Sequence, residues 1–300
     1  MQYKIPEFLY EILLKEYGEE YTKKIIEGYS KTRPTTFRVN TTKTDVDAVK
    51  EKLLNLGVKF KEVEWNENAI IIEDEFDIRK TSMYENGEIY IQNLSSMIPP
   101  IVVSPSEGES ILDMAAAPGG KTTQMASLSN NKAMITACEK NKIRAERLKY
   151  NLEKQGAGRV NVMMEDARRL SDFFSFDKIL LDAPCSGSGT ININDKNLEK
   201  YYTKELVERS IKTQKELLRK AVKIVKSKGE IIYSTCSILK EENEKIVEEI
   251  LQKSNLEIVP IDESQFKDIP LLPATIPGTI CICPNELYEG FFVAKMRIQE

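Results

Sequence analysis

The chain has 300 residues, 41% apolar and 30% charged, enough to bury the core of one large domain or two modest ones. Its longest uncharged apolar run, residues 97–104, is broken by two prolines and falls far short of the ~20 residues that span a bilayer. Histidine is absent, which excludes Ser–His and Cys–His nucleophile pairs, His-ligated zinc and imidazole acid–base catalysis, and a net charge of −4 argues against indiscriminate coating of nucleic acid. Five cysteines, odd in number and irregularly spaced, suit a reduced cytosolic chain better than a disulfide framework. Acids inside the first apolar run (Glu7, Glu11, Glu16) do not match a signal peptide. A cytoplasmic, monomeric protein with no membrane span is expected.

In chain order, Phe8, Leu9, Ile12 and Leu13, then Tyr21, Ile25, Ile26 and Tyr29, mark two short amphipathic helices broken near Gly18. A strand over 36–40 follows, then a helix from about Asp45 to Leu56 with Val46, Val49, Leu53 and Leu54 on one face, closed by Gly57. Residues 58–63 and 69–73 read as strands. Residues 1–90 are expected to form a small α/β substrate-binding subdomain, and 91–300 a larger one. In the latter, strands over 110–114, 133–138, 160–164, 178–182 and 230–234 alternate with helices over about 121–128, 140–154, 205–226 and 241–252. Continuous apolar strands between helices predict an α/β fold, a parallel sheet covered on both faces. A closing strand over 290–296 has no helix after it and predicts an antiparallel pair at the sheet edge.

The charge is uneven. Residues 31–61 and 140–169 each carry a net +5, the first with 8 basic residues against 3 acids and the second with 9 against 4. Either segment suits a patch facing phosphates, with Arg33, Arg38 and Lys43 as candidate contacts, or a solvated helix face, and charge alone does not choose.

After the first strand of the larger domain comes Asp113-Met114-Ala115-Ala116-Ala117-Pro118-Gly119-Gly120-Lys121, then a helix. Small residues let a ligand approach the backbone, and the helix start offers free N–H groups. The spacing is neither that of a dinucleotide fingerprint nor that of a phosphate loop. Glu139 ends the second strand, where a ribose diol is read in doubly wound sheets, and Asp166 follows the third, within reach of an adenine amino group. Three strand-end acids repel phosphates. S-adenosyl-L-methionine, with a ribose, an adenine and a cationic sulfonium but no phosphate, fits them better.

Two further strands end in Asp182-Ala183-Pro184-Cys185-Ser186-Gly187 and Ser234-Thr235-Cys236-Ser237, which places two thiols on the ligand rim. Together with Ile91-Gln92-Asn93-Leu94-Ser95-Ser96, Ala115–Lys121 and Glu289-Gly290-Phe291-Phe292-Val293-Ala294-Lys295, the sequence resembles the Nop/Sun-type (RsmB-like) RNA cytosine carbon-5 methyltransferases. The likeness runs in order from about Phe37 to the C-terminus.

The resemblance implies a Rossmann-like class I methyltransferase sheet, S-adenosyl-L-methionine as cofactor, and transfer RNA or ribosomal RNA as partner, held in part by residues 1–90. It implies Cys236 as the nucleophile that adds to cytosine carbon-6, Cys185 as the group that assists release, and Asp182 as the residue that holds the ring nitrogen-3 and amino edge. The base must be unpaired or flipped to be reached. Lys121 is a candidate for contacting the cofactor or lowering a thiol pKa. One departure is Cys281-Ile282-Cys283 before Pro284, where the family often has a basic residue; two cysteines without further ligands read as packed thiols, not a metal site. The rival class is a ribosome-assembly factor with dispensable methylation, against which the intact Cys236, Cys185 and Asp182 set speaks.

Overall fold

The computed structural model describes residues 5–299, so the first four residues of the expected N-terminal subdomain and Glu300 lie outside the described residues. Helix α1 (Glu7–Ser30) is two helical segments, because Gly18 takes φ 73°, ψ 176° in its middle. That backbone is one glycine adopts without steric cost.

Residues 36–91 build a small antiparallel sheet from β1 (Thr36–Val39), β2 (Phe60–Val63), β3 (Asn66–Ile72) and β4 (Ile89–Ile91), in the order β2-β3-β1-β4. Between them lie α2 (Val46–Asn55) and the single turn α3 (Ser82–Glu85). Asp45 caps α2 by accepting from Ala48 N, and Val49 and Leu53 pack on Phe37, Val39, Ile70 and Ile72. The sheet's last strand thus crosses residue 90.

A ten-residue helix, α4 (Leu94–Val103), occupies the apolar run that two prolines interrupt in sequence. Pro100 lacks the N–H that would bond Ser96 O, and Gln92 Nε2 donates to that carbonyl instead, at 2.9 Å.

The large sheet comprises β5 (Ser110–Asp113), β6 (Met134–Cys138), β7 (Val160–Met163), β8 (Phe176–Asp182), β9 (Val225–Thr235), β10 (Leu256–Ile258), β11 (Ile280–Ile282) and β12 (Phe291–Ile298). Its helices are α5 (Gly120–Leu128), α6 (Lys142–Gln155), α7 (Leu198–Tyr201), α8 (Lys204–Ile224) and α9 (Glu244–Lys253). The strand order is β10-β12-β9-β8-β5-β6-β7, parallel from β7 through β9. The closing strand is antiparallel as expected, but it is not at the edge. Its outer side is paired by β10 along its end and by β11 along its start, two strands too short to stand out in sequence.

Alternate residues of each strand feed opposite cores. Ile179, Leu181, Ile231 and Tyr233 join the side covered by α8 and α9, whereas Leu180 and Ile232 join the side covered by α4 and α5. The chain winds outward from β5 through β7, then returns to β8 on the other flank. Ligands of such sheets bind at that reversal, beyond the carboxyl ends of β5 and β8.

Helix α1 belongs to the core of the large sheet. Leu9, Leu13, Tyr17, Ile25 and Tyr29 pack in the same cluster as Tyr202, Ile238 and Phe292. Tyr17 Oη donates to Ile238 O and Tyr29 Oη to Ser188 O, both at 2.5 Å, and Glu16 Oε2 accepts from Lys240 N at 3.0 Å. Burial pushes Glu16 up to about 7; the Lys240 N–H and ammonium oppose this, and Glu244 and Glu241 add to it. The folded chain therefore holds this proton more tightly than the unfolded chain. The resulting stability is complete below pH ~4.5 and is lost as pH rises to about 7. Glu16→Gln should remove that loss, with a melting temperature that gains on wild type by roughly 2 kcal/mol equivalent between pH 5 and pH 8. Parallel melting curves at both pH values would show that Glu16 is not the group.

Candidate active site

At the end of β5 the Asp113 carboxylate is buried. Oδ2 accepts from Thr122 Oγ1 at 2.7 Å, while Oδ1 has no protein partner. Burial pushes this group up to about 6, against the pull of Thr122. Gly119 turns the chain into α5 at φ 109°, and a Cβ there would lie 3.0 Å from Leu148 Cδ1. A Cβ on Gly120 would meet Tyr90 Cε1 at the same distance. Ala115, Ala116, Ala117, Pro118, Gly120 and Lys121 form one wall of a cleft whose other walls are Tyr90–Asn93, Ser96, Asp113, Asp182 and Glu289.

A second cavity adjoins the first through Ala115 and is lined by Met114, Glu139, Lys140, Asp166, Pro184 and Leu217. Glu139 is almost fully buried; Oε1 accepts from Asn141 N at 2.8 Å, and Oε2 lies 3.3 Å from Arg144 Nη1. Asp166 already grips the Arg168 guanidinium, with its nearest contact at 2.5 Å. That hydrogen-bonded ion pair holds Asp166 down at about 2. The three strand-end acids thus share one rim, with Asp113 and Glu139 the more deeply set.

Asp182 ends β8 between the two helix layers. Oδ1 accepts from Ser234 Oγ at 2.9 Å and Oδ2 pairs with Lys121 Nζ at 2.8 Å. Lys121 also donates to Ser96 Oγ at 2.9 Å and sits 5.3 Å from the Phe291 ring centroid. Burial works to lower its pKa, but the Asp182 carboxylate outweighs burial and raises it. The lysine is therefore a cation fixed at the cleft floor.

Cys185, past β8, and Cys236, past β9, bring their sulfurs to 3.1 Å, both partly exposed. Contact this close places a hydrogen between them. The Cys236 sulfur and then burial hold Cys185 well above the usual thiol pKa, and either sulfur can be the donor in this contact. The other three cysteines are buried in apolar surroundings, which pushes Cys138 up to about 12 and Cys283 up to about 11. Among the described residues no group of Cys, Asp and Glu is arranged to hold a metal ion. No helix among them is long and apolar enough to cross a membrane.

The basic residues proposed for phosphates are differently employed. Arg38 is buried, bonded to Gln92 Oε1, Thr123 Oγ1 and Gly120 O, and stacked 5.1 Å from the Tyr90 ring. Arg33 donates to Tyr288 O, and Lys43 to Asn86 O and Lys154 O. These three side chains fasten the small sheet to the large one. Burial of an arginine cannot be read from charge counts, because its strand neighbours Phe37 and Val39 carry the only hint. Conversely, Gln92, Asn93, Ser96 and Glu289 line the cleft, although nothing in their types assigned them chemistry.

This strand order, with an acid-rimmed cleft at the reversal point, is the class I methyltransferase fold. The chain belongs to the RsmB/F family: the model described as 16S rRNA methyltransferase RsmB/F matches residues 100–297. The ferredoxin-like domain of RsmF/B-like methyltransferases matches residues 5–79. The 28S rRNA (cytosine-C(5))-methyltransferase of Mus musculus is 33% identical over 98% of this chain and 39% of its own length. Ribosomal RNA small subunit methyltransferase F of Shewanella sp. (strain ANA-3) is 34% identical over 86% of this chain and 55% of its own. The chain therefore spans about half the length of these curated relatives or less. A methyltransferase homologue from Pyrococcus horikoshii has the same fold, with a TM-score of 0.83, 31% identity, and coverage of 98% of this chain and 100% of that one.

Proposed function

We propose that this protein is an S-adenosylmethionine-dependent RNA methyltransferase that makes 5-methylcytosine through a covalent cysteine–cytosine adduct. The observation that carries the reading is the pair of touching thiols on the loops after β8 and β9, the first of which leaves the cleft wall at Asp182. The names of both curated relatives favour ribosomal RNA as the substrate class.

The cleft suits the cofactor. Asp113 Oδ1 is a buried acceptor without a protein partner, and Glu139 presents a carboxylate at the second strand end. Asp113, Glu139 and the Ala115–Lys121 wall would hold a cationic, phosphate-free nucleoside, with Asp166 at its far end. When bound, it supplies an electrophilic methyl group.

The chain's own residues do the rest. Carbon-5 of cytosine is a weak nucleophile until a sulfur adds at carbon-6. Cys236 is that sulfur: its proton leaves to solvent, its thiolate adds to carbon-6, and Cys185, 3.1 Å away, is placed to hydrogen-bond it. The Asp182 carboxylate accepts from the amino edge and stabilises a protonated ring nitrogen, which makes carbon-6 more electrophilic. Lys121 pairs with Asp182 and keeps it aimed. Elimination then takes the carbon-5 proton to a base or water, re-forms the carbon-5–carbon-6 double bond and breaks the carbon-6–sulfur bond. Cys185 is placed to hydrogen-bond the departing Cys236 thiolate.

The test is transfer of labelled methyl groups from S-adenosylmethionine to RNA by the purified chain, with the digested nucleosides resolved by mass. 5-Methylcytidine is expected; label in another nucleoside, or none, overturns the reading. Glu139→Ala should weaken cofactor binding by roughly 1–3 kcal/mol. Unchanged affinity by calorimetry would remove Glu139 from the ribose role.

A further inference from the structure

Both oxygens of the Glu242 carboxylate are engaged, and three of the four donors sit on the two cysteine loops. Glu242 is fully buried in the turn between β9 and α9. Its Oε1 accepts from Ser186 N at 2.8 Å and Gln214 Nε2 at 3.0 Å, and its Oε2 accepts from Ser186 Oγ at 2.5 Å and Ser237 Oγ at 2.6 Å. Ser186 follows Cys185, and Ser237 follows Cys236. The backbone oxygen of Glu242 accepts from Tyr233 Oη at 2.5 Å, which anchors the carboxylate's own turn to β9. Ser188 Oγ and Ser237 Oγ close the gap between the loops at 2.7 Å.

Burying a carboxylate is costly unless its oxygens are fully hydrogen-bonded, and a packed apolar layer would support two loops without that cost. Bonds to an ionised acceptor, however, fix geometry more firmly than apolar contact does. We propose that Glu242 is a positioning residue: its single carboxylate ties the Cys185 loop to the Cys236 loop and so holds the two sulfurs in contact. The Cys236 sulfur and burial keep Cys185 protonated, and the Glu242 charge beneath it adds to both. The catalytic meaning of the tie rests on the methyl-transfer reading; the sulfur contact itself does not.

That contact can be measured without RNA. Diamide is a two-electron thiol oxidant: it takes up two electrons and two protons as two S–H bonds break and one S–S bond forms. Wild-type protein treated with diamide should form a Cys185–Cys236 disulfide, identified by peptide mapping. Preset sulfurs react at a high effective concentration, so Glu242→Ala should slow this step by about tenfold or more. Glu242→Gln, equal in length and still an acceptor, should recover most of the rate. Under the proposed activity Glu242→Ala lowers kcat and leaves KM for RNA unchanged. Ser237→Ala removes one donor and no charge, and should slow disulfide formation severalfold; it decides the matter if Glu242→Ala does not fold. A folded Glu242→Ala that oxidises at the wild-type rate overturns the proposal, as does a wild-type rate in Ser237→Ala where the first variant is lost. Absence of methyl transfer with the oxidation pattern intact would sink the function and leave the tie standing.

Discussion

Cys236→Ala should lose methyl transfer and form no adduct with RNA, whereas Cys185→Ala should also fail to turn over but accumulate a protein–RNA complex that survives denaturant. These opposite failures follow from the two roles proposed for the thiol pair. The sulfurs are 3.1 Å apart, so position alone would let either attack. Only a deprotonated sulfur adds to the ring, and the family resemblance gives that role to Cys236 and the release of the product to Cys185. Without Cys236 no bond to carbon-6 forms, and turnover drops by roughly 10³-fold or more, the scale seen when a nucleophile is removed. Without Cys185, addition proceeds and the step that expels the sulfur stalls. A denaturing gel of each variant with substrate RNA reads the outcome. An adduct in Cys236→Ala with none in Cys185→Ala reverses the assignment.

The second large effect is expected at Asp182. Asp182→Asn keeps the side chain's volume and an acceptor for Ser234, but it removes the counter-charge of Lys121, whose side chain is 14% exposed. Breaking a buried pair by losing one partner costs about 3–5 kcal/mol, and the partial exposure of Asp182 places this pair at or below the low end of that range. The base loses more. A neutral amide no longer stabilises a protonated ring nitrogen, so kcat should fall by ~10²-fold or more, on the scale of a lost acid–base group. A kcat within twofold of wild type would take Asp182 out of base activation.

The strand ends that carry the candidate site residues are legible in the sequence because each is a short apolar run stopped by a polar or small residue. Asp113, Glu139, Asp182, Cys185 and Cys236 all reach the rim for that reason. Elements whose residues contradict local propensity are not legible. Helix α4 carries Pro99 and Pro100 in its middle and stands because its apolar residues are packed on both sides and Gln92 takes a freed carbonyl. Strands β4, β10 and β11 are three residues each, too short for any periodicity to register, and are specified by the longer strands they pair with. Arg38 and Glu242 look like surface charges in a linear reading. Their burial follows from hydrogen bonds to residues tens of positions away, which local composition does not encode.

The docking of α1 has a consequence for synthesis. Tyr17 finds its partners at Ile238 and Cys281, 221 and 264 residues further along the chain. A polypeptide leaving the ribosome thus presents α1 well before the surface that covers it. Leu9, Leu13 and Ile25 stay exposed, or need shielding by a chaperone, for most of translation. A nascent chain halted just short of β11 already contains Cys185 and Cys236, yet lacks part of the surface on which α1 must settle.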